Sequence, residues 1–554
     1  MRTLLALTLA LVAPLSAAGQ AYQAKPKLVI VLVLDQFRAD YLERYRTDFK
    51  TPNGFNLFLN KGADFTDCYY DYDNTMTAPG HSTIGTGAYT DGHGISLNEW
   101  WDLSRSTSHP VSSVEDERYA IVGDHGPRLS GSADDIGASP RNELASTLGD
   151  EVVLATKGTS KLFGISLKDR AAILTSGHAS NGAFWLDHAS GHFVSSTYWG
   201  PKLPAWALAF NNSGRADQAL KEAGAMPGHF YDDVGSSPAS VSYLLDFAKS
   251  LISGEQMGHH ATTDVLTISI SSTDILGHRV GPDAPEQRAM VDAIDVDLNQ
   301  FFNWLGGHVE GGMPNVWVAL TGDHGIPSTA EQAAALGIPG AAFNPAKINE
   351  ALDTELNARF SPGKKTRYML PGEVPYLTLD PRAFTAIKVS ESEAERAVAD
   401  LLPGALEATL PPEPAGVSQK RLPARPLVRR VYTRTQMAAG QVPDTEEGER
   451  VLHSYSQNGG WYVMFAAGMY DQSGAKGTNH FSPYSYDRHV PLAFYGSPFV
   501  PGTYHGRVAP VDLAATFASL LRINQPSASV GHVLTQALRQ TPAAGAKPSS
   551  KQIH

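Results

Sequence analysis

Cysteine is almost missing from this sequence, since Cys68 is the one cysteine in 554 residues. A single cysteine forms no internal disulfide, and it excludes a structural zinc site built on thiolates. Any zinc would therefore be held by histidine and carboxylate side chains. We expect Cys68 itself to be a small, buried, apolar residue.

Positive charge is also scarce, because 44 Lys and Arg face 56 Asp and Glu and the formal net charge is −12. A nucleic acid duplex needs a basic surface, so we expect no such partner. An anionic small molecule would have to be attracted by local positive charge, from metal ions or a few Lys and Arg. No apolar run beyond the N-terminus approaches the length of a membrane span, so we expect no membrane partner.

The N-terminus has the pattern of a secretory signal peptide. Arg2 gives a positive start, residues 4–15 form an apolar run, and small residues dominate the stretch that follows. We therefore predict a signal peptide over residues 1–21 and a periplasmic or secreted protein. An uncleaved anchor is disfavoured because the apolar run is short. The Ala-, Pro- and Ser-rich residues 541–554 are predicted to be a disordered tail.

Buried strands alternate with amphipathic helices along the chain. Continuous apolar, β-branched runs predict strands buried on both faces over residues 27–34, 264–270, 315–320 and 490–495. Helical stripes of apolar residues cover residues 239–252, 285–305 and 511–521. This alternation predicts an α/β fold with a doubly wound, mostly parallel central sheet and helices on both faces, spanning residues 22–540. Two long, irregular segments, 100–235 and 326–450, are predicted to be insertions that form a cap beside the sheet edge.

Aspartates follow three of these predicted strands, namely Asp35, Asp274 and Asp323. One such aspartate alone is more often a turn or cap residue. Because the carboxyl ends of parallel strands meet at one edge, where ligands bind, we expect these three to converge.

Further chemistry-bearing residues lie in short motifs between and after the strands. They are Thr77 in TAPGH, Asn98 in SLNEW, Lys168 and Arg170 in SLKDR, His278 in DILGH, His324 in DHG and His480 in TNHFSP. Zinc accepts imidazole and carboxylate ligands and keeps a position open for substrate. Two sets of three are available: Asp274, His278 and His480, with the first two on one face of a turn, and Asp35, Asp323 and His324. Two ions about 4 Å apart would clamp the attacking and leaving oxygens of an in-line displacement.

Thr77 is the candidate nucleophile, although a lone threonine at this place is most often a helix cap. Its hydroxyl would need metal coordination to become nucleophilic at neutral pH. Pro79 suits the first turn of a helix, and a helix N-terminus favours a negative phosphoryl group. Thr75 is the competing position, but the T-x-P-G-H spacing favours Thr77. We expect His81 to pack or to hydrogen-bond rather than act as the base.

Lys168 and Arg170 point to the same side if their segment is extended. Arg binds phosphate oxygens as a fork and Lys binds them as a point charge, while Asn98 can donate to a third oxygen. Taken alone, the Lys-Asp-Arg run is more often a solvated charge cluster.

The order of these motifs resembles the alkaline phosphatase superfamily, in its phosphodiesterase/nucleotide-pyrophosphatase-like branch. The likeness is strongest to bacterial alkaline phosphatases with a threonine nucleophile, and it spans residues 27–534. The resemblance implies two Zn²⁺, with the Thr77 hydroxyl added to the second ligand set, and a phosphothreonine intermediate. It implies that Asn98, Lys168 and Arg170 recognise phosphate monoesters. Small-molecule phosphate esters are then the expected partners, and the protein is expected to be a monomer.

One position departs from the family pattern. Phe481 follows His480 where the family commonly has glycine, so an altered backbone or an added apolar wall is expected there. Two alternatives stay open: a phosphodiesterase or nucleotide pyrophosphatase on the same two-zinc scaffold, which does not need Lys168 and Arg170, and a non-catalytic exported metal-binding protein. A sulfatase is disfavoured because Cys68 does not lie in a C-x-P-x-R motif.

Overall fold

The computed structural model describes residues 25–125, 136–338, 340–372, 374–409, 426–474 and 477–540. The predicted signal peptide, residues 1–21, and the predicted tail, residues 541–554, lie outside the described residues. Within these ranges, no helix is both long enough and apolar enough to cross a membrane.

A central sheet runs through the described part of the chain. Its strands, in spatial order, are Gly502–Tyr504, Ala63–Phe65, Leu492–Tyr495, Val316–Gly322, Leu28–Leu34, Asp264–Ile270, Leu162–Ser166, Gly182–Leu186, Phe193–Ser196, Glu115–Val122 and Ile136–Ala138. A second, four-stranded sheet has the order Met369–Leu370, Tyr376–Leu379, Tyr462–Ala467 and Val428–Thr433. Two short pairs join Glu99–Trp100 to Val111–Ser112 and Ala342–Phe343 to Gln472–Ser473.

Helices connect and cover the strands. In chain order the described α-helices are Asp40–Arg44, Phe55–Lys61, Thr77–Thr86, Thr90–His93, Leu148–Ala155, Asp169–Ser176, Ala205–Asn211, Arg215–Ala223, Phe230–Asp233, Ala239–Gly254, Ser272–Val280, Pro285–His308, Ala330–Ala335, Pro345–Phe360, Pro381–Thr385, Glu391–Thr409, Arg434–Ala438, Glu446–His453, Ser485–Arg488 and Asp512–Leu521. The strands and helices predicted from apolar patterning are therefore present, with their ends within a few residues of the predicted ones.

The five central strands of the main sheet, from Val316–Gly322 to Gly182–Leu186, are parallel. Antiparallel pairs flank them on both sides. Along Leu28–Leu34, alternate side chains enter two different cores, one packed with the helices Ala239–Gly254 and Pro285–His308 and the other with Asp512–Leu521. Burial on both faces explains why these strands are continuously apolar. The predicted doubly wound α/β fold is confirmed.

The segment 100–235 differs from the predicted cap. Five of its strands lie in the central sheet, and two of them, Leu162–Ser166 and Gly182–Leu186, belong to the parallel core. Four of them have three to five residues and contain glycine or serine, and Glu115–Val122 begins with four charged residues, so all five lack the long apolar run that identified the others. Residues 326–450 contribute to the separate four-stranded sheet, and their function as a cap stays a prediction.

Candidate active site

The candidate site lies where four neighbouring parallel strands end. Leu34 pairs with both Gly322 and Ile270, so three of these strands end at the same height. The polar residues that follow the four ends, in spatial order, are Asp323, Asp35, Asp274 and Lys168. All four side chains are buried. The register of the sheet thus assembles three carboxylates and one ammonium from distant parts of the chain.

Asp274, His278 and His480 form the first candidate metal group. Asp274 and His278 lie four residues apart on the helix Ser272–Val280, which brings His278 Nε2 within 3.1 Å of Asp274 Oδ1. His480 comes from a loop more than 200 positions later, and its Nε2 lies 3.9 Å from the same oxygen. The three ligand atoms all lie within 4.8 Å of one another.

The second candidate group contains Asp35, Asp274 and His324, which differs from the predicted set in one member. Asp323 was predicted in place of Asp274. The structure places Asp323 beside this group, with its Oδ2 3.5 Å from His324 Nε2. Asp274 is therefore common to both groups and lies between them.

Three buried polar atoms of the candidate ligands make no hydrogen bond within the described residues: Asp35 Oδ1, His324 Nε2 and Asp323 Oδ2, the last of which lies 3.2 Å from His81 Nδ1. Such unpaired atoms are unusual, because a buried polar group without a partner costs about 1–3 kcal/mol. Both oxygens lie 3.5 Å from His324 Nε2. Imidazole and carboxylate are the donors that zinc prefers when thiolates are absent. The residues therefore fit divalent cations of this kind.

Backbone carbonyls fix the three candidate histidine ligands. The Nδ1 atom of His278 lies 3.0 Å from Thr478 O, that of His324 3.0 Å from Gly325 O, and that of His480 2.7 Å from Thr75 O. A proton on Nδ1 satisfies each carbonyl and, in a neutral ring, leaves Nε2 as the lone-pair donor, the usual arrangement behind a metal-ligating histidine. Burial opposes the charge on His278, but Asp274 outweighs it and raises the pKa of His278. Burial lowers the pKa of His324, and burial together with neighbouring histidines lowers that of His480 well below its ordinary value. Both rings are thus held neutral, as metal ligation requires.

Lys168 balances part of the negative charge. Its Nζ lies 2.7 Å from Asp35 Oδ2 and 2.5 Å from Asp274 Oδ2. Burial opposes the charge on Lys168, but the two carboxylates outweigh it and raise the Lys168 pKa. Burial also opposes ionisation of Asp274, yet Lys168 and His278 hold the pKa of Asp274 well below its usual range. The pKa of Asp35 is raised by burial and by the charges of Asp274 and Asp323, so one ammonium does not compensate all three carboxyls.

Thr77 is the first residue of the helix Thr77–Thr86, as the sequence predicted for a phosphate-binding helix start. Its Oγ1 lies 3.3 Å from Lys168 Nζ, which places the hydroxyl at the carboxylate cluster. Gly80 allows this approach, because a Cβ at that position would lie 2.4 Å from Asp323 O. Thr75 contacts a different group: its Oγ1 accepts a hydrogen bond from Ser482 N.

Asn98 and Arg170 lie beside this helix start. Asn98 Oδ1 accepts a hydrogen bond from Ala78 N at 2.9 Å, which leaves the Asn98 amide NH₂ without a hydrogen bond among the described residues. The condition under which Lys168 and Arg170 would point to the same side, an extended Lys-Asp-Arg segment, is not met. Lys168 is the last extended residue and Arg170 lies in the first turn of the helix Asp169–Ser176, because the helix begins at Asp169. Arg170 Nε is buried and makes no hydrogen bond to any residue that the structure describes.

His81 has the hydrogen-bonding position predicted for it. Its Nδ1 lies 2.8 Å from Thr77 O, its Nε2 lies 2.7 Å from Ser269 Oγ, and the ring is fully buried. Both nitrogens are therefore engaged with groups other than the Thr77 hydroxyl. Cys68 is also buried, as predicted, and burial raises the pKa of its thiol.

Two residues at the site were missed by the sequence analysis. Gln36 donates to two of the aspartates, and its position directly after Asp35 was the available signal. Tyr231 stacks on His188, with ring centroids 4.0 Å apart, and interacts electrostatically with Lys168 and Arg170. Burial raises the pKa of Tyr231 to about 12, so its phenol is a neutral donor. No sequence motif pointed to this tyrosine.

Phe481 adopts the backbone conformation that favours glycine, with φ of 91°. The backbone after His480 thus has a conformation suited to glycine, and the phenylalanine is strained into it. Its ring is 5% exposed and stacks on Tyr376 of the four-stranded sheet, with centroids 5.3 Å apart. Phe481 therefore anchors the His480 loop to that sheet.

At most positions an alanine variant is more stable than a glycine variant, and at position 481 we expect the opposite order. We expect both variants to be less stable than the parent, because removing a buried phenylalanine ring costs about 3–5 kcal/mol. We expect Phe481→Gly to be more stable than Phe481→Ala, since a Cβ in the left-handed region costs about 1–2 kcal/mol. Urea unfolding of both variants measures this.

Phe465 provides the matched control, because it is also buried but lies in the strand Tyr462–Ala467. There the alanine variant should be the more stable of the two by about 0.5–1 kcal/mol. The same order at position 481 would show that Phe481 carries no backbone strain.

Comparison with known proteins gives consistent matches. A family model described as type I phosphodiesterase/nucleotide pyrophosphatase matches residues 29–443. Alkaline phosphatase PhoV of Synechococcus elongatus is 30% identical over 93% of this chain and 94% of its own length. Alkaline phosphatase PafA of Elizabethkingia meningoseptica is also 30% identical, over 93% of this chain and 95% of its own.

Solved structures agree with these matches. The crystal structure of wild-type PafA superposes with a TM-score of 0.80 at 29% identity, covering 93% of this chain and 99% of the other. A PafA variant in which one threonine, one asparagine, one lysine and one arginine are replaced, in that order along its chain, superposes equally well.

Proposed function

Because the chain belongs to the type I phosphodiesterase/nucleotide pyrophosphatase family, we propose that it is an exported phosphatase that hydrolyses phosphate monoesters through a phosphothreonine intermediate. Its similarity to PhoV and PafA over nearly the whole chain supports an alkaline phosphatase. The single observation that carries the mechanism is the Thr77 hydroxyl at a helix start, beside three buried carboxylates and a lysine.

The proposed reaction has two steps. Thr77 Oγ attacks the phosphorus, the bond to the ester oxygen breaks on the opposite side, and the alcohol leaves after protonation. Water then attacks the phosphothreonine, inorganic phosphate leaves, and the Thr77 hydroxyl is regenerated. The N-terminus of the helix Thr77–Thr86 favours the negative phosphoryl group at this place.

Two zinc ions fit the donor groups in this proposal. Asp274, His278 and His480 would hold one, and Asp35, Asp323 and His324 would hold the other, with Asp274 placed to contribute to both. When bound, such ions supply activation of the attacking oxygen and neutralisation of the leaving oxygen. The three unpaired atoms and the neutral histidines support this assignment.

Recognition of a monoester needs groups for its non-bridging oxygens. Lys168 Nζ lies 3.3 Å from Thr77 Oγ1, close enough to contact a phosphoryl group bonded to that oxygen. Arg170 is held nearby with a buried Nε that has no hydrogen bond among the described residues, and the free amide of Asn98 lies at the same helix start. A diester has one of these oxygens capped by a substituent, so this donor set favours monoesters.

Removing the charged side chains of Lys168 and Arg170 should slow monoester hydrolysis much more than diester hydrolysis. We expect Lys168→Ala combined with Arg170→Ala to lower kcat/KM for an aryl monoester by about 10²–10⁴-fold, because each charged hydrogen bond contributes about 1.5–3 kcal/mol. Turnover of an aryl diester should change less than tenfold. Parallel rate measurements on the two substrates check this.

Arg170→Ala alone is the control, because among the described residues the ion pair of Arg170 is with Asp169, whereas Lys168 forms ion pairs with Asp35 and Asp274. Zinc content must be measured in all variants, since Lys168 also holds Asp35 and Asp274. Unchanged monoester turnover in the double variant with normal zinc content would overturn the substrate assignment.

A phosphodiesterase or nucleotide pyrophosphatase is the second candidate, and the description of the matching family model favours it. It would use the same threonine and the same metal ligands. Rates of the wild-type protein distinguish the two candidate functions. If it hydrolyses a diester faster than a monoester at equal substrate concentration, it is a phosphodiesterase.

A further inference from the structure

Gln36 links two of the candidate metal-binding aspartates. It directly follows Asp35 and is fully buried. Its backbone N–H donates to Asp323 Oδ1 at 2.9 Å, and its side-chain Nε2 donates to Asp274 Oδ1 at 2.7 Å. One residue at the end of the central strand thus holds carboxylates that belong to the strands on either side.

We propose that Gln36 is a positioning residue that fixes Asp274 and Asp323 for metal binding, and so sets the zinc affinity of the site. The inference rests on the proposed function, because it takes the carboxylates to be zinc ligands. Asp274 belongs to both candidate metal groups, so holding this side chain affects both ions together.

The hydrogen bonds leave Asp274 no freedom to rotate. Its Oδ1 accepts from Gln36 and faces His278 Nε2 at 3.1 Å, while its Oδ2 accepts from Lys168. Because an ionised carboxylate only accepts, the Gln36 side chain must present its NH₂ group, which fixes the orientation of the amide. Loss of Gln36 would take the amide donor from Oδ1 and leave Lys168 and the facing His278 ring as side-chain contacts of this carboxylate among the described residues. Partners of this kind behind a metal ligand typically change metal affinity 10–100-fold when they are removed.

The backbone indicates that the glutamine side chain is needed at this position. Gln36 has φ of 60°, a left-handed conformation that glycine adopts without strain. Glycine would therefore suit the backbone better but would lose the donor to Asp274. Gly277, on the helix Ser272–Val280, faces the Gln36 amide. A Cβ on Gly277 would lie 2.0 Å from Gln36 Oε1, so only glycine leaves room for the amide at this position of the helix.

Two variants disturb this contact from opposite sides. Gln36→Gly removes the amide and keeps both the left-handed backbone and the N–H donor to Asp323. Gly277→Ala keeps Gln36 but pushes its amide away from Asp274. We expect each variant to raise the zinc dissociation constant about 10–100-fold, measured by competition with a chelating dye, and we expect excess zinc to restore kcat.

Gln287 is the matched control, because it is also a fully buried glutamine, but its Nε2 donates to the carbonyl of Thr273 instead of to a carboxylate. Gln287→Ala should lower the melting temperature of the metal-free protein and leave zinc affinity unchanged. If Gln36→Gly does not fold, Gly277→Ala carries the test alone.

Zinc affinity within twofold of the parent in both Gln36→Gly and Gly277→Ala would overturn the proposal. An equal loss of affinity in Gln287→Ala would also overturn it, since the effect would then follow from any buried amide. A parent protein that binds zinc tightly but hydrolyses no phosphate ester would refute the proposed function and leave this inference standing. A parent protein that binds no zinc would refute both.

Discussion

Replacing Thr77 by alanine is expected to lower kcat/KM for an aryl phosphate monoester by about 10³-fold or more, the loss typical of removing a nucleophile that acts in concert with other groups. The structure gives the reason, because Thr77 Oγ1 is the hydroxyl that lies at the helix start beside Lys168. Zinc content should remain close to that of the parent, since the histidine and aspartate ligands are untouched.

Two further variants make this result specific. Thr77→Ser keeps a hydroxyl and should retain most of the activity. Thr75→Ala removes the competing hydroxyl, whose Oγ1 accepts a hydrogen bond from Ser482 N, and should cause a much smaller loss. Mass spectrometry of acid-quenched enzyme should find a phosphoryl group on Thr77 in the parent and none in Thr77→Ala. Equal losses for Thr75→Ala and Thr77→Ala, or a phosphoryl group on another residue, would contradict the assignment.

Replacing Asp274 by alanine is expected to remove both zinc ions and to lower kcat/KM for the same substrate by about 10³-fold or more. Loss of the ions withdraws several kcal/mol of transition-state stabilisation, and each 1.36 kcal/mol corresponds to a factor of ten. The structural reason is that Asp274 belongs to both candidate ligand groups. Zinc is measured by atomic absorption after dialysis against a weak chelator, and activity is assayed in parallel.

His278 is the comparison, because it belongs to one group. His278→Ala should therefore lose about one ion where Asp274→Ala loses two. Treatment of the parent with a strong chelator should abolish activity, and added zinc should restore it. An Asp274→Ala protein that keeps two zinc ions would show that Asp274 is not shared, and activity that survives complete chelation would refute metal dependence.

The local part of the site could be predicted from sequence, because short spacings have few structural outcomes. The four-residue spacing of Asp274 and His278 indicated one face of a turn, and both residues lie on one helix. The strands before Asp35 and Asp323 were visible because burial on both faces demands continuous apolar side chains. By contrast, four of the sheet strands within residues 100–235 are short and contain glycine or serine, and the fifth, Glu115–Val122, begins with charged residues, so their apolar pattern was too weak to reveal them.

Other features of the site could not be predicted, because they depend on contacts between residues that the spacing of motifs does not specify. Gln36 was missed because an amide side chain has no metal-ligand pattern, and its importance appears when its two hydrogen bonds are seen. The sequence did not show that Asp169 begins a helix, so it left open whether the backbone from Lys168 to Arg170 is extended. Tyr231 reaches the site from a four-residue helix in a segment without any motif.

The sequence by itself determined which groups are available for chemistry: imidazoles and carboxylates that can serve as metal ligands, a threonine at a helix start, and the lysine and arginine two residues apart. The tertiary structure decided how the ligands are shared, since it places Asp274 in both candidate groups and Asp323 beside the second. The physical reason is that the distance between residues hundreds of positions apart depends on strand order and register. Those are set by the packing of the whole sheet, which no local pattern of residues encodes.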